Sequence, residues 1–61
     1  SSPVEYVLRR RIFFAANLLT TTDHSVTDIA LACGFSSPSY FTKKFHEIAG
    51  AAPLAYRKAA E

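Results

Sequence analysis

The residues best suited to act on a partner lie between Ser36 and Phe45, where Ser39, Tyr40, Thr42 and Lys43 bring hydroxyls and an ammonium into one short stretch. Such groups exchange hydrogen bonds with base edges and pair with phosphate oxygens. A second cationic feature, Arg9-Arg10-Arg11, admits two readings. It is a solvated helix face whose stems cover apolar surface, or it is a phosphate contact. Other chemistries find no support in the spacing. His24 and His46 have no Cys or acidic partner at metal-ligand distance along the chain, so both read as surface or capping histidines. Cys33 falls on an apolar stripe and reads as a small core residue, with nothing beside it to lower its pKa. Glu5, Asp23, Asp28, Glu47 and Glu61 are scattered, and no nucleophile-base pair or phosphate loop occurs. The chain is therefore not read as an enzyme, and no cofactor or metal is expected.

The polar stretch needs a rigid support, and the residues around it supply one. Val26, Ile29, Ala30 and Cys33 recur at i, i+3, i+4 and i+7, which predicts a short amphipathic helix. Ser25 precedes it as a cap, and Asp28 sits in its first turn, where the dipole favours an acid. Gly34 ends it in a left-handed conformation. Phe35 then drops into the core. Ser36, Ser37 and Pro38 start a second helix through a hydroxyl cap and a proline at the first helical position. Its apolar positions are Phe41, Phe45 and Ile48, and it ends near Ala49 with Gly50 in a left-handed turn. Two helices, a glycine turn and a small residue at Ala30 that lets the helices approach form a helix-turn-helix pattern. In a DNA-binding unit of this kind the second helix enters the major groove, and its early solvent-facing residues read base edges.

The chain has 61 residues, 49% of them hydrophobic and 13% aromatic. That is one small domain with enough apolar material for a helical core and too much for disorder. One cysteine excludes an internal disulfide and fits a reducing cytosol. The formal net charge of +2 permits nucleic-acid binding without establishing it. No apolar run is long enough for a membrane span, and the N-terminus lacks a signal-peptide layout. A cytoplasmic location is expected.

Before the helix-turn-helix comes a long helix from Pro3, capped by Ser1-Ser2, to about Thr21. Val4, Leu8, Ile12, Ala15, Ala16 and Leu19 form the stripe expected to pack on the helix-turn-helix. Tyr6, Val7, Phe13, Phe14 and Leu18 lie partly off that face, and exposed phenylalanines on so small a domain either cover another part of the core or face something outside this chain. After Gly50 a short final helix starts at Pro53. Leu54 and Tyr56 are expected to pack back on the core, while Ala52 is a poor cap and Arg57 and Lys58 favour the last turn. Pro3-x-x-Tyr6 is echoed by Pro53-x-x-Tyr56, as though the tail of one unit precedes the whole of a second.

These residues together resemble the C-terminal DNA-binding region of the AraC/XylS family of bacterial transcription regulators. The matching positions are Ser2-Pro3-x-x-Tyr6, Arg11-Ile12-x-x-Ala15-x-x-Leu18-Leu19, Ile29-Ala30-x-x-x-Gly34-Phe35-x-Ser37, Ser39-Tyr40-Phe41, Lys44-Phe45 and Gly50-x-x-Pro53-x-x-Tyr56-Arg57. The resemblance implies an all-α, homeodomain-like fold: a linker helix over residues 1–22, carrying the tail of an absent first unit, and a second helix-turn-helix unit over residues 23–61. It implies a recognition helix from Pro38 to Ala49, with Pro38, Ser39, Thr42 and Lys43 at the groove-reaching positions and Tyr40 near that surface. The expected DNA-binding set is Ser37, Pro38, Ser39, Tyr40, Thr42, Lys43, Lys44 and Arg57. Three positions depart from the family pattern. Ala52 stands for Thr or Ser, Val7 for Leu, and His46 for Lys, which removes a positive charge. Pro38 reads no polar base edge, though it fits a thymine methyl.

Two function classes follow. The first is sequence-specific binding of double-stranded DNA as half of a bipartite regulator domain, whose parent chain would add the first helix-turn-helix unit and an effector-binding domain. The second is a helical interaction module for RNA polymerase or a second copy of the chain. The solvent face of Pro38 to Lys44 discriminates between them. Polar and cationic residues there favour DNA, an apolar patch favours protein, and the residues written there are mostly Ser, Thr and Lys.

Overall fold

Local chemistry sets where each helix starts. In the computed structural model, which describes residues 2–61, the helices are α1 (Pro3–Thr21), α2 (Val26–Ala32), α3 (Pro38–Ala49) and α4 (Pro53–Ala59), with no strand among the described residues. Ser1, expected to share the first cap, lies outside them. Ser2 Oγ accepts from the Glu5 N–H at 3.1 Å, Ser25 Oγ from the Asp28 N–H at 3.1 Å and Ser37 Oγ from the Tyr40 N–H at 3.3 Å. Each bond satisfies an amide that a first helical turn leaves without a partner. Proline begins α1, α3 and α4, where its missing N–H costs nothing. α4 has no side-chain cap, because Ala52 stands at its N-cap.

The α2–α3 turn is closed by two backbone bonds. The Phe35 N–H donates to the Ala30 carbonyl at 3.0 Å and the Gly34 N–H to the Leu31 carbonyl at 3.1 Å. This is the Schellman arrangement, and it requires a residue at positive φ after the helix. Gly34 supplies it at φ +92°. Ala30 is fully buried beneath this turn, so a larger side chain there would push α2 off its neighbours.

The core is contributed by α1, α2, the turn and α3, with α4 packed against it through Tyr56. Ile12, Ala15, Ala16 and Leu19 come from α1, Ile29, Ala30 and Cys33 from α2 and its end, Phe35 from the turn, and Phe41 and Phe45 from α3. Leu8, Leu18, Val26, Ile48, Ala49 and Tyr56 pack against that centre while partly exposed. Aromatic rings link the elements. Phe35 meets Phe41 edge-on with centroids 5.1 Å apart, Phe41 lies 5.7 Å from Phe45, and Phe45 meets Tyr56 edge-on at 5.4 Å. α1 packs against each of the other three helices, so the long helix is part of the same core.

Two expected core positions are corrected. Val4 is 68% exposed. Nineteen residues at about 1.5 Å each make α1 roughly 28 Å long, and its apolar stripe meets the core only from Leu8 onward. Leu54 is 66% exposed. Pro53 and Tyr56 take the inward positions of the short α4, which leaves Leu54 pointing out.

Candidate nucleic-acid interface

α3 has two distinct faces. Phe41 and Phe45 are fully buried on the inner one, and Ser37 caps its start. With those anchors fixed, Ser39, Thr42, Lys43 and His46 fall at i, i+3, i+4 and i+7 on the outer face, and all four are exposed. Pro38, also exposed, stands at its leading end. The Lys43 ammonium makes no hydrogen bond or ion pair among the described residues. A rigid helix therefore carries a line of short donors and acceptors with one uncommitted cation, which suits base edges and phosphate oxygens.

The other expected site residues are engaged elsewhere. Ser37 is half-buried and uses its hydroxyl as the cap. The Tyr40 ring rests against Phe35, with centroids 6.0 Å apart. The Lys44 ammonium lies 5.8 Å from the Tyr40 ring centroid and donates to Glu47 Oε1 at 3.3 Å. Lys44 faces a notch between α1 and α3 lined also by Glu5, Leu8, Arg9 and Ile48. Tyr40 and Lys44 thus flank the outer face. Arg57, on α4, turns to the far end of α1. Its Nε donates to the Leu19 carbonyl at 3.0 Å and its Nη2 to the carbonyls of Thr22, at 3.3 Å, and His24.

Sequence reasoning left His46 out of the set, although its position seven residues after Ser39 is the helical signal that places it on the same face. Within the basic run, Arg10 lies 6.0 Å from the Tyr6 ring centroid and Arg11 Nη1 donates to the Gly34 carbonyl at 3.4 Å. Arg11 is thereby a brace on the helix-turn-helix turn. Burial pushes the Cys33 thiol pKa up, which disfavours the thiolate. Among the described residues, no helix is long and apolar enough to cross a membrane.

Residues 1–59 match the family model described as a helix-turn-helix domain. The chain belongs to the AraC/XylS-type helix-turn-helix family. It is 42% identical over 57 residues to the HTH-type transcriptional regulator ExsA of Pseudomonas aeruginosa, a match covering 93% of this chain and 20% of that protein. It is 42% identical over 52 residues to the virulence regulon transcriptional activator VirF of Yersinia enterocolitica, covering 85% of this chain and 19% of that protein. The uncharacterized HTH-type transcriptional regulator YisR of Bacillus subtilis is 39% identical over 57 residues, covering 93% of this chain and 20% of that protein. No solved structure matches the chain. The chain spans about a fifth of the length of these relatives. Membership makes it a helix-turn-helix module of DNA-binding transcription regulation, in a family that is non-enzymatic.

Proposed function

We propose that α3 is a recognition helix that reads the major groove, and that the chain binds DNA sequence-specifically as one half of a bipartite regulator domain. The observation that carries this reading is the outer face of α3: Ser39, Thr42 and Lys43 aligned and exposed over the buried anchors Phe41 and Phe45. Ser39 and Thr42 serve as base-edge donors and acceptors, Lys43 as the cation for a guanine edge or a phosphate, and Pro38 as an apolar contact for a thymine methyl. Tyr40 supports the reading face from its edge. Residues 1–22 act as the linker helix and residues 23–61 as the second helix-turn-helix unit. The parent chain supplies a first unit and an effector-binding domain, and it acts in the bacterial cytoplasm at the nucleoid. One such unit makes few phosphate contacts and reads few base pairs, so it binds weakly and with strong salt dependence when alone.

Fluorescence anisotropy with a mixed-sequence duplex across a salt series tests the assignment. Lys43→Ala is expected to weaken binding at low salt, and to flatten the slope of log affinity against log salt by about 0.9 if the ammonium sits on a phosphate. Unchanged affinity at low salt would remove α3 as the reading helix.

A second reading is favoured by Phe13 and Phe14, which are 61% and 54% exposed on α1. Apolar side chains so displayed support a protein contact, with the first unit of the parent chain, a second copy of this chain or RNA polymerase. Loss of DNA binding with retention of a sedimenting complex would favour it.

A further inference from the structure

α1 ends on Thr20-Thr21-Thr22 with no basic residue in its last turn. The last carbonyls of a helix have no partner within it and carry the negative end of its dipole. The hydroxyls of Thr21 and Thr22 turn back to the carbonyls of Asn17, at 2.8 Å, and Leu18, at 2.7 Å. The cation for this end comes from α4. Arg57 reaches the carbonyl of Leu19 in the last turn of α1, that of Thr22 at its end, and that of His24 next to the Ser25 cap of α2. One planar, permanently charged guanidinium thus spans the whole α1–α2 joint, and a single ammonium could not hold all three oxygens in that geometry. The opposite end of α2 is braced in the same manner, by Arg11 on the Gly34 carbonyl. α2 and α3 are joined by the doubly bonded turn and share Ala30, Cys33, Phe35 and Phe41 in the core. Whatever fixes the start of α2 therefore fixes α3.

We propose that Arg57 is a positioning residue for DNA recognition: it sets the angle at which the α2–α3 pair leaves α1, and so presents the outer face of α3, without touching phosphate itself. This rests on the DNA-binding reading above and deepens it. A guanidinium bound chiefly to phosphate would turn its donors outward, whereas Nε and Nη2 of Arg57 are directed to carbonyls distant in sequence.

The test uses Arg57→Lys, which keeps the charge, and Arg57→Gln, which removes it. Both are studied at a temperature where circular dichroism shows them folded. The first readout is duplex affinity across a salt series. The second is amide hydrogen exchange of the free proteins. The clamp predicts that both variants lose affinity, on the order of tenfold, with the salt slope unchanged. It also predicts faster exchange at the Asp28 and Ile29 amides than in the unsubstituted chain, while the Phe45 amide keeps its rate. Retained affinity in Arg57→Lys, with a slope flatter by about 0.9 in Arg57→Gln, would make Arg57 a phosphate contact and overturn the proposal. So would folded variants whose affinity matches the unsubstituted chain, since a role confined to stability leaves the folded state's affinity intact. If Arg57→Gln does not fold, Arg57→Lys decides alone through affinity and exchange. If the unsubstituted chain binds no duplex, the recognition-helix reading fails, and the exchange rates at Asp28 and Ile29 still decide whether the clamp exists.

Discussion

The two glycine turns form an internal control for how the helix-turn-helix angle is held. Gly34 and Gly50 have nearly the same backbone, φ +92° and +86°, but different surroundings. A Cβ on Gly50 would meet nothing within 4 Å, whereas one on Gly34 would lie 3.2 Å from Arg11 Cζ. Alanine at either position takes a left-handed conformation that costs about 1–2 kcal/mol. At both positions this is offset by about 0.4–1 kcal/mol from the reduced freedom of the unfolded chain. Gly50→Ala should therefore cost about 1 kcal/mol net. Gly34→Ala adds displacement of Arg11 and loss of its 3.4 Å bond to the Gly34 carbonyl. Because the guanidinium is the far end of a flexible, exposed side chain, that adds only about 0.5–1 kcal/mol. For a domain of this size each kcal/mol moves Tm by about 4–8 °C. Thermal and urea unfolding followed by circular dichroism compare the unsubstituted chain with Gly50→Ala, Gly34→Ala, Arg11→Ala, and Gly34→Ala in an Arg11→Ala background. The excess at Gly34 over Gly50 should vanish when Arg11 is absent. An equal cost at the two glycines, or an excess that survives without Arg11, would refute the brace.

Three further outcomes follow from the packing. Ala52→Ser should stabilise the chain by about 1 kcal/mol by giving α4 the side-chain cap it lacks, read as a rise in the urea midpoint. Leu54→Ser, at a position 66% exposed, should change unfolding free energy by no more than about 0.5 kcal/mol; a cost typical of a core leucine would restore Leu54 to the core. Burial raises the Cys33 pKa, so the native chain should react slowly with thiol reagents until it unfolds. Because the folded pKa lies above the unfolded one, this thiol's contribution to stability is present below the ordinary thiol range near about 8.5 and is lost as pH rises above it. Unfolding free energies of the native chain and Cys33→Ala, compared across that range, check the sign.

Much of this arrangement was legible in the residues because it rests on local chemistry. Ser2, Ser25 and Ser37 announce three helix starts, prolines mark the first positions, and Gly34 and Gly50 mark two ends. Phe41 and Phe45 define the inner face of α3, and helical spacing then puts Ser39, Thr42 and Lys43 outside. What was not legible depends on which surfaces meet. Val4 continues a correct apolar period outward past Leu8, where the stripe first meets the core. Leu54 lost its expected place because Pro53, beside it, and Tyr56 fill the contact. Arg57 shows the same limit in the site. Its charge is visible, but the carbonyls of Leu19, Thr22 and His24 that engage it are distant in sequence and offer no side-chain pattern to read. Lys44 differs, since its partner Glu47 stands three residues away and could have been read as a helical ion pair.

Titrating the chain with mixed-sequence duplex at low salt, with amide shifts followed by NMR, shows whether α3 reads DNA. A reading helix gives shifts concentrated on Ser37 to Lys44 and at His46, reversed by added salt. Shifts confined to Arg9 to Phe14 would contradict that reading and transfer the interaction to α1, and no shifts at all would contradict it by showing that this half does not bind DNA unaided.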